Sequence, residues 1–125
     1  VIAGAKAAAE AEGLSLRFVG GPSGDRWRLT PAGDDGAWLL FDDAGTAPHV
    51  VEIINATGVR GWGSRMVRTL AGLFPTTNRW TSTDVLDTGV LFWSAMQTEL
   101  GVTLFTASGV PALSTRRAIV ARLLA

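Results

Sequence analysis

The stretch from His49 to Gly63, HVVEIINATGVRGWG, runs a cluster of β-branched residues directly into spaced glycines. That junction restricts the folds open to the chain more than any other segment. Val50, Val51, Ile53 and Ile54 suit a buried strand. Gly58, Gly61 and Gly63 then remove side chains where a helix begins. The helix itself is read from Trp62, Met66, Val67, Leu70, Leu73 and Phe74 at helical spacing, with Arg65, Arg68 and Thr69 on the other side and Pro75 as its stop. A helix start with unobstructed amides and a favourable dipole suits an anion, most often phosphate. The plainer reading is that the glycines only relieve a tight strand-to-helix corner, and residue spacing leaves both open.

A chain of 125 residues is expected to form one domain with a real core. With 47% hydrophobic and 18% charged residues the composition is that of a folded protein. Eleven basic residues balance eleven acidic ones, which removes a general electrostatic case for nucleic acid or an anionic membrane as partner. The absence of cysteine excludes disulfides, thiolate nucleophiles and Cys-based metal sites. His49 is the only histidine, which argues against a His-based metal cluster or a Ser-His-Asp arrangement, so no metal site is expected. The apolar runs are too short and broken to span a membrane, and VIAGAKAAAEAEG lacks the pattern of a secretory signal, so a cytoplasmic location is expected.

Along the chain, residues 2 to 12 read as helix stopped by Gly13. Strands are predicted over 14–19, 26–30 and 37–41, joined by the turns GGPSG and PAGDDG, as an antiparallel meander leading into the 49–55 strand. After the glycine-started helix come a short strand at 79–83, a helix capped by Asp87 or Thr88 and running to Leu100, and a strand at 102–106. Ser114 is read as the cap of a last helix with Leu113, Ile119, Val120 and Leu123 on its apolar side.

This order, with the sequence Gly58-Val59-Arg60-Gly61-Trp62-Gly63 after the fourth strand, resembles the GNAT superfamily of acyl-CoA-dependent N-acetyltransferases. The likeness is strongest over roughly residues 25 to 105. It implies an α+β fold over 1–125: a mixed, mostly antiparallel twisted sheet with helices on both faces. The family's pyrophosphate loop has the pattern Gln/Arg-x-x-Gly-x-Gly/Ala; the Gly-x-Gly half is present and Gly58 replaces the leading Gln/Arg. The resemblance implies that amides around Arg60, Gly61, Trp62, Gly63 and Ser64 hold the pyrophosphate of acetyl-CoA, the acyl donor. It implies that the fourth strand, at Ile53, supplies an amide that polarises the acyl carbonyl. Thr81 to Thr83 and the helix GVLFWSAMQTELG are similar to the family's fifth strand and fourth helix, with Phe92-Trp93 in place of the usual aromatic pair. The chain has no tyrosine, so the family's frequent phenolic acid is missing, and the N-terminal part is short for the family.

Glu52 is the candidate general base, because a carboxylate between Val51 and Ile53 would have its pKa raised by partial burial. The alternative is a carboxylate on the strand's solvent side. Strict alternation puts His49 on the opposite face from Glu52. Arg60 and Arg65 are read either as phosphate partners or as solvated surface charge. Asp84 and Ser94 stand near the position of the missing acid, and Trp62 is the tryptophan expected to touch ligand. Two functions follow: an N-acyltransferase moving an acetyl group to an amine-bearing small molecule or protein, or a GNAT-like binding or assembly module without catalysis. A homodimer fits either.

Overall fold

The computed structural model describes residues 4–113. Helix α1 (Ala5–Ala11) leads into strands β1 (Leu14–Gly20), β2 (Arg26–Pro31), β3 (Ala37–Asp43) and β4 (Pro48–Asn55), followed by helix α2 (Trp62–Leu73) and strand β5 (Arg79–Ser82). A single 3₁₀ turn (Asp87–Gly89) then enters helix α3 (Val90–Leu100), and strand β6 (Thr103–Phe105) follows. The elements agree with the sequence reading to within a few residues. One start differs: Asp87 opens the 3₁₀ turn, and Gly89 is the N-cap of α3. The helix expected after Ser114 lies outside the described residues.

The six strands form one mixed sheet in sequence order, β1-β2-β3-β4-β5-β6. The first three pairings are antiparallel, because each connection is a short turn. The last two pairings are parallel and need crossovers, which α2 and α3 supply. Both crossovers step the same way across the sheet, so the right-handed rule brings both helices to one face. Helix α1 packs there too, with Ala5 and Ala9 buried beside Leu14 and Leu16. The core lies between these helices and the sheet: Leu29, Leu39, Phe41, Val50, Trp80 and Leu104 from strands meet Met66, Val67, Leu70, Trp93 and Met96 from helices. Arg68 Nε and Nη2 bond Glu99 Oε2 and Oε1 at 2.6 and 2.9 Å, tying α2 to α3 and holding the Glu99 carboxyl below its ordinary range.

The fold is therefore mixed α+β, but the expected helices on both faces are not found among the described residues. The other sheet face carries Arg17, Val19, Arg28, Trp38, Leu40 and Glu52, all exposed or half-buried. The physical reason is local: β1 turns into β2 through the short connection 21–25, with no helix between them to fold over that face.

Candidate functional site

Strands β4 and β5 are paired only at His49–Thr81 and Val50–Ser82. Just beyond, Thr83 N donates to Val50 O at 3.0 Å and Thr83 Oγ1 to Val51 O at 2.7 Å. After that the two chains part. On the β3 side, Leu40 pairs with Glu52 and Phe41 with Val50, so Val51 is an extra residue, a β-bulge. A bulge bends its strand and increases the local twist, which drives β4 away from its parallel neighbour.

The parting opens a cleft of about 420 Å³, within the usual range for a ligand pocket. Its walls are Val50 to Ile54 on one side and Ser82 to Leu86 on the other, with Thr88, Gly89 and Trp93 closing the helix side. Ala56 N donates to Gly36 O at 2.8 Å, which fixes the alternation of the β3–β4 ladder. Glu52 and Ile54 then direct their backbone groups at β3, and Ile53 directs its N–H and C=O the opposite way, into the opening.

The segment between β4 and α2 is held by its own side chains. Asn55 Oδ1 accepts from Thr57 N (3.2 Å) and Thr57 Oγ1 (2.7 Å), and Asn55 Nδ2 donates to Val59 O at 2.8 Å. Val59 N donates to Thr57 Oγ1 at 3.0 Å. These bonds fix the approach to α2, as Asx-type turns do. Gly61 is the N-cap of α2 with φ of 97°, a conformation that favours glycine. It offers no side-chain cap, and the first turn holds no acidic residue. The amides of Trp62, Gly63 and Ser64 thus begin a three-turn helix without a side-chain acceptor among the described residues.

Gly63 has a packing role that spacing does not reveal. A Cβ there would lie 3.3 Å from Phe92 Cε1 and 3.9 Å from Ile53 Cδ1. The α2 start is therefore seated against α3 and against β4, beside the cleft. Phe92 and Trp93 are T-shaped at 5.4 Å, so the aromatic pair serves both walls: Phe92 clamps the helix start and Trp93 lines the opening. Of the expected phosphate-loop residues, Arg60 is exposed just before the helix and Ser64 is half-buried in its first turn. Trp62 is half-buried against the core, with the Arg65 guanidinium 5.0 Å from its ring centre.

Glu52 lies beside the bulge at the cleft wall, but the partial burial expected of it is absent. Its side chain is exposed on the helix-free face, where Trp38 Nε1 donates to Oε2 at 3.1 Å. His49 is on this same face, contrary to strict alternation: it pairs with Asp42 and Glu52 pairs with Leu40, two residues apart on β3. The extra residue Val51 resets the alternation between them. His49 Nδ1 and Thr81 Oγ1 are hydrogen-bonded at 2.8 Å. Asp84 lines the cleft, whereas Ser94 is not part of its wall.

Ser82 was not singled out by the sequence. It is 5% exposed, it lines the cleft, and its Oγ is buried without a hydrogen-bond partner among the described residues. No motif marks it; only its place at the last β4–β5 pair, where the strands separate, does. Trp38 carries no such mark either, since its bond to Glu52 depends on strand register. Comparison with protein-family models, curated proteins and solved structures gives no match.

Proposed function

We propose that this chain is a GNAT-like domain that binds an acyl-CoA thioester in the β4–β5 cleft and transfers the acyl group to an amine. The observation that carries the reading is the parting of β4 from β5 with the Ile53 N–H turned into the gap. Three further features fit a coenzyme of this kind. The α2 start offers free amides to a pyrophosphate. The cleft is lined mainly by apolar side chains, suited to a pantetheine arm. Ser82, a residue of its lining, has a buried hydroxyl without a hydrogen-bond partner among the described residues.

Acyl-CoA supplies the activated acyl group and a thiolate leaving group. In this reading Ile53 N–H holds the acyl oxygen and stabilises the charge that develops there. Glu52 takes the proton the amine gives up, directly or through a water, as the new C–N bond forms and the C–S bond breaks. Its Oε2 is fixed by Trp38, which leaves Oε1 toward an amine approaching over the helix-free face. The departing thiolate needs no phenolic acid, since a free thiol has a pKa of about 8.5. The lack of any tyrosine favours a second reading, in which the domain binds coenzyme but has lost transfer.

Titrating acetyl-CoA while following the melting temperature tests the shared premise. A ligand at 100 times its Kd stabilises the native state by about 2.7 kcal/mol, a rise of several degrees. No rise at millimolar acetyl-CoA overturns both readings, and a rise without turnover across a panel of amines selects the binding module.

Ser82→Ala separates cleft occupancy from folding. Removing a buried hydroxyl that has no partner among the described residues is expected to leave stability unchanged or raise it by up to about 1 kcal/mol. The same change is expected to weaken acetyl-CoA binding by several fold. A destabilised variant with wild-type affinity would show that Ser82 bonds within the protein and not to ligand.

A further inference from the structure

The geometry points to an oxyanion-binding site, separate from the cleft, formed by Arg17 and Arg28 on the helix-free face of β1 and β2. The two arginines are register partners, directly opposite each other across the β1–β2 ladder. Like charges in that position repel and destabilise a sheet unless something neutralises them. Among the described residues neither guanidinium has a carboxylate within ion-pair distance; the recorded pairs are Arg26–Asp42 and Arg68–Glu99. Arg28 Nε is buried and has no hydrogen-bond partner there, while the Arg28 guanidinium is held 5.0 Å from the Trp38 ring centre. The stack fixes its plane, which preorganises the fork for a bidentate partner.

Both arginines line a small pocket of about 110 Å³ with Ser15, Thr30, Pro31, Gly33 and Asp35. That is the room of three or four waters, enough for one phosphate or carboxylate group and too little for a larger ligand body. Ser15 and Thr30 are register partners two residues along the same ladder, the next pair on this face, so two hydroxyl residues stand beside two guanidiniums. Thr30 is 8% exposed, so one of the two hydroxyl residues is a buried part of the lining. Among the described residues Asp35 is the only acidic group in its lining, and it leaves the pair with a net positive charge. An oxyanion seated here accepts from both forks and both hydroxyls and removes the repulsion between the strands. The body of such a ligand lies on the open sheet face, two strands away from the β4–β5 opening.

The test is a thermal-shift titration of the whole chain in a phosphate-free buffer with sodium phosphate, sodium acetate and, at matched ionic strength, sodium chloride. Phosphate or acetate is expected to raise the melting temperature where chloride does not, and whichever does so identifies the group bound. In Arg17→Gln the apparent affinity is expected to fall about tenfold or more, the loss of one charge-assisted fork. Arg17 is exposed, and without added anion the variant is expected to melt at or above the wild-type temperature, because the like-charge pair is gone. Its response to acetyl-CoA is expected to be that of the wild type, which keeps this site distinct from the α2 start. No response to either anion, an equal response to chloride, or an unchanged anion affinity in Arg17→Gln would each overturn the proposal.

Discussion

Ser64→Glu is expected to raise the melting temperature of the free protein while weakening acetyl-CoA binding about a hundredfold, the loss of one or two charge-assisted hydrogen bonds. Ser64 is the third residue of α2 after the Gly61 cap, a position from which a glutamate reaches back to the open amides at the helix start. A carboxylate there complements the helix dipole, worth about 0.3–1 kcal/mol and therefore a few degrees. The same carboxylate occupies and repels the position proposed for the pyrophosphate. The opposite signs make the result hard to confuse with misfolding. Glutamate at Gly61 or Gly63 is a poorer test of the same position. Gly61 sits at φ of 97°, where any side chain adds strain, and a side chain at Gly63 pushes into Phe92. Calorimetry that finds wild-type coenzyme affinity in a stabilised Ser64→Glu would remove the α2 start from the site.

Glu52→Gln is expected to lower acyl transfer by about 10² to 10⁴ and to leave acetyl-CoA affinity within a few fold. The amide oxygen of Gln can still accept from Trp38 Nε1, so the change removes the base and keeps the local packing. Because Glu52 is exposed on the helix-free face, its loss leaves the core untouched. With no tyrosine in the chain, the wild-type pH profile is expected to show one ascending limb, from the base or the amine, and no descending limb from a phenol. Full turnover in the variant at every pH would exclude Glu52 from the reaction. A wild type that binds coenzyme and turns over no amine would make the domain a binding module, and the Glu52–Trp38 pair would then be a surface contact only.

The strands from Leu14 to Asn55, the glycine-started helix and the α3 segment were legible because each follows from a local rule. Alternation or β-branching marks β1 to β4, helical spacing marks α2, and Gly13, Gly61 and Gly101 stand at element ends where φ is positive. The open amides before Ser64 were legible for the same reason, since they depend on the residues present at one turn. The cleft was not. It exists because β4 and β5 pair over two positions and then part, and a parting between strands separated by a whole helix has no trace in either strand's own sequence. Nor does a run such as VVEII announce that Val51 is extra; the bulge is defined by the partner strand, and it reverses the side on which His49 stands relative to Glu52.

Sequence by itself determined which elements form and in what order, because dihedral preference and apolar periodicity act over a few neighbouring residues. Tertiary structure alone decided what those elements bring together. It assigned Trp38 to Glu52, left the buried Ser82 hydroxyl without a partner among the described residues, turned Gly63 into the seat of Phe92, and set Arg17 against Arg28 on a face that no described helix covers. Each of those outcomes depends on register and on which face a residue ends up facing. Register is set by the pairing of segments far apart in the chain, and a slip of one residue turns the side chains of the slipped strand to the other side of the sheet.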